Sequence, residues 1–302
     1  MPIQYTGFAD EAEKSLADQV SVLKQVGWSA IELRLIDGKN VCDQTDEEWK
    51  QSWDYLQSEG IAVVGFGGQI GNWARSVDTD FQIDEDELVR VAPRMRESGC
   101  QFLRIMSYPN STEAPLEDSD WRHEVVRRIH ELAEIAEGEG VILGHENCSG
   151  YGGAREGFLE LVEEVDHPSF KLIFDTGNNT LHEKSGEATW DYYDACRSEI
   201  VHVHIKAAIP GEDGEFATCF VDEDPVQERI LKDLQSNGYE GWLSIEPHLA
   251  AAIHAGQDID DTGHARKVWV DYAGRLEKLV AATSASCCLL YTSDAADDAS
   301  SV

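Results

Sequence analysis

Eight short apolar runs alternating with amphipathic stretches over 302 residues predict an α/β fold, a single-domain (β/α)8 or TIM barrel. Three observations carry this expectation. The runs recur about one strand, loop and helix apart, glycines close the intervening helices, and the last four runs each end in a carboxylate or an imidazole.

In chain order, strands are expected at residues 3–8, 30–34, 62–66, 102–106, 141–146, 171–175, 201–205 and 242–246. Each is a run of four to six mainly apolar residues, the length of a strand buried in a parallel barrel. Helices are expected between them at 11–26, 46–58, 85–98, 119–137, 153–165, 189–196, 225–237 and 263–282. Gly27, Gly60, Gly99, Gly140 and Gly238 each follow a helix and precede a strand, where a left-handed cap residue is wanted. An open doubly wound sheet would need a glycine-rich phosphate loop after the first strand, and Gly7-Phe8-Ala9-Asp10 supplies none.

With 42% hydrophobic residues the chain can bury one large core, and no Pro/Ser/Gly-rich linker interrupts it before about residue 283. The domain is therefore expected over residues 1–283. The last stretch, SASCCLLYTSDAADDASSV, has no periodicity and no strand left to pair with, so residues 284–302 read as a disordered or artefactual tail.

No 18-residue apolar span occurs, and MPIQYTGFADEAEK lacks a basic region followed by an apolar one, so neither a membrane span nor a signal peptide is expected. A cytoplasmic location follows as an expectation. The seven cysteines have no C-x-x-C or zinc spacing and fit reduced thiols. Fifty-eight acidic against 24 basic residues give a net charge of −34, which repels phosphate backbones and anionic membranes and argues against a nucleic-acid partner. Acidic runs at 43–48, 78–87 and 222–224 fall where helices or loops meet water; they suit a halophilic surface that needs salt to screen its own repulsion. The charge says nothing of the reaction, and an acidic surface is compatible with a homo-oligomer whose interface is apolar.

The runs ILGHE, KLIFD, IVHVH and WLSIE end at Glu146, Asp175, His204 and Glu246, with steps of 29, 29 and 42 residues. On successive parallel strands these side chains converge on one point at the C-terminal end of the barrel, where such folds carry their chemistry. Any one of them alone is an ordinary loop acid or hydrogen-bonded histidine. Together they are expected to form one divalent-metal site.

The segments HEN (145–147), FDTGN (174–178), HVHIK (202–206) and SIEPH (244–248), with GFADEA (7–12) and IELR (31–34), give the chain a resemblance to a known family. They resemble the xylose-isomerase-like TIM barrels, sugar phosphate isomerases and epimerases that also include ketose 3-epimerases, inosose dehydratase and endonuclease IV. The resemblance implies that Glu146, Asp175, His204 and Glu246 bind a divalent ion, commonly manganese. Three carboxylates with one imidazole suit Mn2+, with Mg2+ or Co2+ as alternatives, whereas zinc draws more histidine or cysteine.

The resemblance further implies a sugar isomerase or epimerase acting on a keto-sugar or related polyol through a metal-stabilised enediolate. Glu146 and Glu246, on opposite faces of the substrate, would remove and return the proton, each having an oxygen to spare from the metal. Two alternatives stand beside it: a lyase or dehydratase acting on an inosose or 3-keto-glycoside, and a barrel that binds metal or sugar without catalysis.

Several neighbours are candidate substrate contacts. Lys206 continues the face of His204 toward the rim, where it either neutralises a developing oxyanion or is simply solvated. His202 lies on the same face one step deeper, as a substrate contact or a core hydrogen-bonding residue. Arg34 and Arg104 sit at the ends of strands two and four, where arginines bind hydroxyls or carboxylates. Glu32 reads as the partner of Arg34 or as a buried structural acid. Trp73 either packs on a sugar face or covers the barrel mouth, and His145 and His248 alternate to the far face of their strands.

Two positions depart from the ketose 3-epimerase pattern: Asn178 stands where a substrate-contacting histidine is usual, and Ala207 where an acid is. The acidic loop 207–224 offers only Gly211 and Gly214 to a phosphate, so an unphosphorylated sugar, cyclitol or glycoside is expected.

Overall fold

The structure, a computed structural model, describes residues 3–250 and 262–297. Twelve strands are described: β1 (Gln4–Gly7), β2 (Ala30–Leu33), β3 (Leu35–Ile36), β4 (Lys39–Asn40), β5 (Ala62–Phe66), β6 (Phe102–Ser107), β7 (Ile142–Gly150), β8 (Phe170–Asp175), β9 (Ile200–Ile205), β10 (Ala207–Pro210), β11 (Phe216–Cys219) and β12 (Trp242–Ile245). The helices are α1 (Leu16–Gln25), α2 (Asp46–Glu59), α3 (Gln82–Ser98), α4 (Asp118–Glu139), α5 (Arg155–Val165), α6 (Asn178–Glu183), α7 (Gly186–Cys196), α8 (Pro225–Ser236) and α9 (Thr262–Asp297). Eight parallel strands in the order β1-β12-β9-β8-β7-β6-β5-β2 form a nearly closed barrel with helices between them, a single-domain (β/α)8 fold.

Every expected strand is present within a few residues. Local chemistry explains the helix boundaries. Thr45 and Glu48 close a capping box at the start of α2, and Asp224 accepts from the Val226 amide to open α8 with Pro225 in its first turn. The five glycines expected after helices all have φ between +70° and +79°.

Several elements differ from the sequence expectation. The first helix starts at Leu16 rather than residue 11, because Ala9–Glu11 forms a separate 3-10 turn in which Asp10 and Glu11 are buried and paired with Arg34. Two hairpins, β3–β4 and β10–β11, rise from the ends of barrel strands; Asp37 and Gly38, both at positive φ, make the tight turn of the first. The helix α6 follows β8 directly. Helix α9 runs across the expected domain boundary at residue 283 as far as Asp297.

Inside the barrel, Ala30, Val64, Phe102 and Ile173 make an apolar floor, separate from the main core between barrel and helices. Gly65 and Gly144 are required by that packing: a Cβ would lie 2.2 Å from the Phe102 ring at the first and 2.5 Å from Ile173 at the second. Above the floor the lining turns polar, with Glu32, His202 and Ser244 and then the residues at the strand ends, all buried.

Candidate metal centre

Glu146, Asp175, His204 and Glu246 each offer one ligand atom, and these atoms all lie within 4.8 Å of one another. The register shows how the barrel achieves this. Asp175 pairs with His204, but Glu146 pairs with Ile173 and His204 with Ser244, so the next ligand lies two residues further along in both cases. That stagger compensates the tilt of the strands and brings the four to one height. All four are buried.

Several cradle atoms lack a hydrogen bond, as a group that could hold a cation would. His204 Nδ1 has no hydrogen-bond partner; it faces Glu146 Oε1 at 3.7 Å and Glu246 Oε2 at 4.0 Å, too far to bond but spaced for an ion between them. Asp175 Oδ2 and Glu146 Oε2 likewise accept no hydrogen bond, although each is ion-paired. Asp175 Oδ1 is held by the amides of Gly177 and Asn178, which leaves Oδ2 to the cradle. The donor set, three carboxylate oxygens and one imidazole nitrogen, fits a hard divalent ion.

Glu32 supports this layer from below. Its carboxylate accepts from His202 Nε2 at 3.0 Å, His204 Nε2 at 3.0 Å and Ser244 Oγ at 2.6 Å. Burial works to raise its pKa, but the two imidazoles outweigh it and hold the acid ionised. Glu32 is therefore a buried acid with a wiring role, and the reading of it as the partner of Arg34 is corrected. A carboxylate on one ring nitrogen orients the other toward a metal.

Cations surround the cradle. Arg34 Nη1 donates to Glu246 Oε1 at 2.5 Å, while its Nε and Nη2 grip both oxygens of Asp10 at 2.8 and 2.9 Å. Arg104 Nη1 lies 3.1 Å from Glu146 Oε2. Lys206 is fully buried rather than at a solvated rim: its Nζ is 3.0 Å from Asp175 Oδ2, 3.0 Å from Glu246 Oε2 and 3.1 Å from Asn178 Oδ1. Burial opposes ionisation of Glu146, yet Arg104 and His204 hold its pKa at about 2. Glu246 is held well below the usual range against burial by Lys206, His248 and Arg34. Burial works against the charged His204 ring, but Glu32 and Glu146 raise its pKa to about 10.

Of the expected substrate contacts, Asn178 bridges Lys206 and Glu146, donating to Glu146 Oε1 at 3.1 Å. Arg34, Arg104 and Trp73, the last 40% exposed, line a cavity of about 390 Å³ beside the cradle with Asn40, Gln69 and Asn72. His202 lies a layer deeper than the cavity, its ring against Phe102 at 4.5 Å and bonded to Glu32, in the position of the core alternative. His145 faces outward as expected, onto Phe158 and Ser107.

The far-face expectation for His248 is corrected: it stands two residues beyond Glu246, and alternation puts residues two apart on the same side. Strand β12 ends at Ile245, His248 has φ +51°, and its Nε2 lies 3.2 Å from both Glu11 Oε1 and Glu246 Oε1. Glu11, Glu246 and His248 also converge, but Arg34 already fills that side of Glu246 with a positive charge. Asp10 and Glu11 were missed as members of the site; ADE after the first strand was the available signal.

Comparison with known proteins gives a consistent result. Residues 20–270 match the family model described as xylose isomerase-like TIM barrel. The chain is 28% identical over 159 residues to inosose dehydratase of Yersinia enterocolitica, covering 45% of this chain and 50% of that protein. The chain thus spans about half the length of the curated relative it matches. Among solved structures, it is similar to a probable 3-DHS dehydratase of Bacillus anthracis (TM-score 0.68, 18% identity, 91% of this chain and 99% of that one). It is also similar to D-psicose 3-epimerase of Clostridium cellulolyticum H10, solved with D-tagatose (TM-score 0.66, 15% identity, 92% and 99%). At these identities the structural likeness shows the fold alone.

Proposed function

The chain belongs to the xylose isomerase-like TIM barrel family, and from that premise we propose that it is a divalent-metal-dependent sugar isomerase or epimerase acting on a keto-sugar or related polyol. The observation that supports this reading most is the pair of ionised carboxylates, Glu146 and Glu246, on either side of His204 Nδ1 in one buried cradle. Glu146, Asp175, His204 and Glu246 would hold the ion, with Mn2+ the best fit to the donors and Mg2+ or Co2+ as alternatives. When bound, it would polarise the substrate carbonyl and stabilise the negative charge that develops as the neighbouring C–H proton leaves.

The protein groups do the rest. Glu146, positioned by Arg104 and Asn178, takes the proton from one face of the substrate, and Glu246, positioned by Arg34, returns one to the other face after drawing it from a substrate hydroxyl. Lys206 Nζ supplies a positive charge and hydrogen-bond donors to a substrate oxygen near Glu246. Arg34, Arg104 and Trp73 orient the remaining hydroxyls in the adjoining cavity. Asn178 replaces a charged or titrating group at this position with a neutral donor, so it positions and does not transfer a proton.

A second reading, a dehydratase using the same base to expel water, is favoured by the relative, whose name is inosose dehydratase. Solvent-deuterium incorporation across a panel of keto-sugars and inososes, with elemental analysis for metal, decides between them. Exchange at one carbon with recovery of an isomer, lowered about 10²–10⁴-fold in Glu146→Gln or Glu246→Gln, supports the isomerase. An ultraviolet-absorbing dehydrated product supports the lyase, and metal binding with neither outcome leaves a non-catalytic barrel. A chain that takes up no divalent ion would defeat the proposal.

A further inference from the structure

Lys206 is placed where a side chain serving only the substrate would not need to be. Its ammonium lies 3.0 Å from Asp175 Oδ2 and 3.0 Å from Glu246 Oε2, oxygens of two of the three cradle carboxylates, and is fully buried with them. Three carboxylates facing one another in a low-dielectric pocket need a countercharge, and here an internal cation provides it. Glu146 has Arg104 for that purpose, and Glu246 also has Arg34. Asp175 has an ion pair with Lys206 alone among the described residues.

The stem of Lys206 divides into a fixed and a free part. Its amide donates to Thr176 Oγ1 and its carbonyl accepts from Thr176 Oγ1 and Gln227 Nε2, which clamps the backbone. Gly177 packs so closely that a Cβ there would lie 2.9 Å from Lys206 Cβ and 2.8 Å from Cγ, which pins the base of the side chain. Beyond Cγ, the ammonium is held by polar contacts: the two carboxylates and Asn178 Oδ1 at 3.1 Å.

We infer that Lys206 is the resident cation of the metal-free cradle, and that its ammonium leaves Asp175 and Glu246 when a divalent ion is taken up. Both cations need the same two oxygens, and a buried ammonium beside a divalent ion is strongly repelled. Swinging off the carboxylates moves the Lys206 charge toward the substrate, so metal loading and substrate recognition share one side chain. The inference rests on the metal reading above.

The test is calorimetric titration of Mn2+ into metal-stripped wild-type protein, Lys206→Met and Lys206→Gln, together with crystal structures of the wild type with and without Mn2+. Both variants are expected to bind Mn2+ at least about tenfold more tightly than wild type. Their stripped forms should melt at least about 5 °C lower, recovering on metal addition, since the carboxylates have lost their countercharge. In the loaded wild-type crystal, Nζ should stand beyond hydrogen-bond reach of both Asp175 and Glu246. That last readout separates displacement from charge repulsion alone, and it holds even if a variant fails to fold. Nζ remaining on both carboxylates beside a bound ion, or equal affinity in all three proteins, would overturn the displacement and leave the metal centre standing. No Mn2+ binding in any form would overturn both.

Discussion

His204 Nε2 and Glu32 Oε1 stand 3.0 Å apart in the buried layer beneath the cradle, joining residues 172 positions apart in sequence. The bond fixes which ring nitrogen faces the carboxylates above, because Nε2 is committed to Glu32 and Nδ1 is left toward Glu146 and Glu246. Glu32→Gln keeps the shape and weakens this hold. Metal affinity is expected to fall about 10–100-fold with the fold retained, as measured by calorimetry and circular dichroism. Unchanged affinity would show that the bond does not orient the ligand.

Gly177→Ala tests the close approach to Lys206. The added methyl would lie 2.8 Å from Lys206 Cγ and 2.9 Å from its carbonyl carbon, and the clamped backbone leaves little room to yield. A loss of about 1–3 kcal/mol in unfolding free energy is expected from denaturant titration. A neutral result would mean that the loop after β8 can relax.

Glu87 carries a pH signature away from the cradle. Its Oε1 accepts from the Gln69 amide and its Oε2 pairs with Arg75 at 2.6 Å, anchoring the loop that bears Trp73. Burial raises its pKa against the pull of Arg75. A folded pKa above the unfolded one means the native state binds the proton more tightly. The stability it confers is therefore complete below pH about 4.3 and declines as pH rises through the folded value. In Glu87→Gln that decline should vanish from the pH dependence of urea unfolding; an identical profile would assign it to another group.

Salt should stabilise the chain. With a net charge of −34, raising KCl from 0.1 to 2 M shortens the screening length several-fold and is expected to raise the melting temperature by roughly 5 °C or more. Most of the gain should come at the low end of the range, where screening changes fastest. A flat melting temperature would mean that the repulsion is already balanced locally.

The barrel and the four residues of the cradle were legible because a buried parallel strand leaves a plain mark, an apolar run stopping at a polar residue, and because four such marks recur a strand, loop and helix apart. The Asp37-Gly38 turn was equally plain and was passed over among the longer periods. The link from Glu32 to two histidines on a distant strand left no local mark, since it depends on how far β2 and β9 protrude into the same interior layer. His248 was misplaced by parity: it stands two residues beyond Glu246, and alternation keeps residues two apart on one face. Lys206 was placed on the right face but too near water: the hairpin β10–β11 that begins one residue later was not foreseen.

Strand β12 pairs with β1 on one side and β9 on the other. As the chain emerges from the ribosome, β1, β2 and the acids Asp10, Glu11 and Glu32 are made more than two hundred residues before the strand that joins the two edges. Until then β1 and β9 each present an unpaired backbone edge, and Arg34 has Asp10 and Glu11 but not Glu246. Docking of β1 onto the sheet and completion of the charge network are thus one late event in synthesis, and a chain halted before residue 242 carries an open sheet suited to sticking to its neighbours.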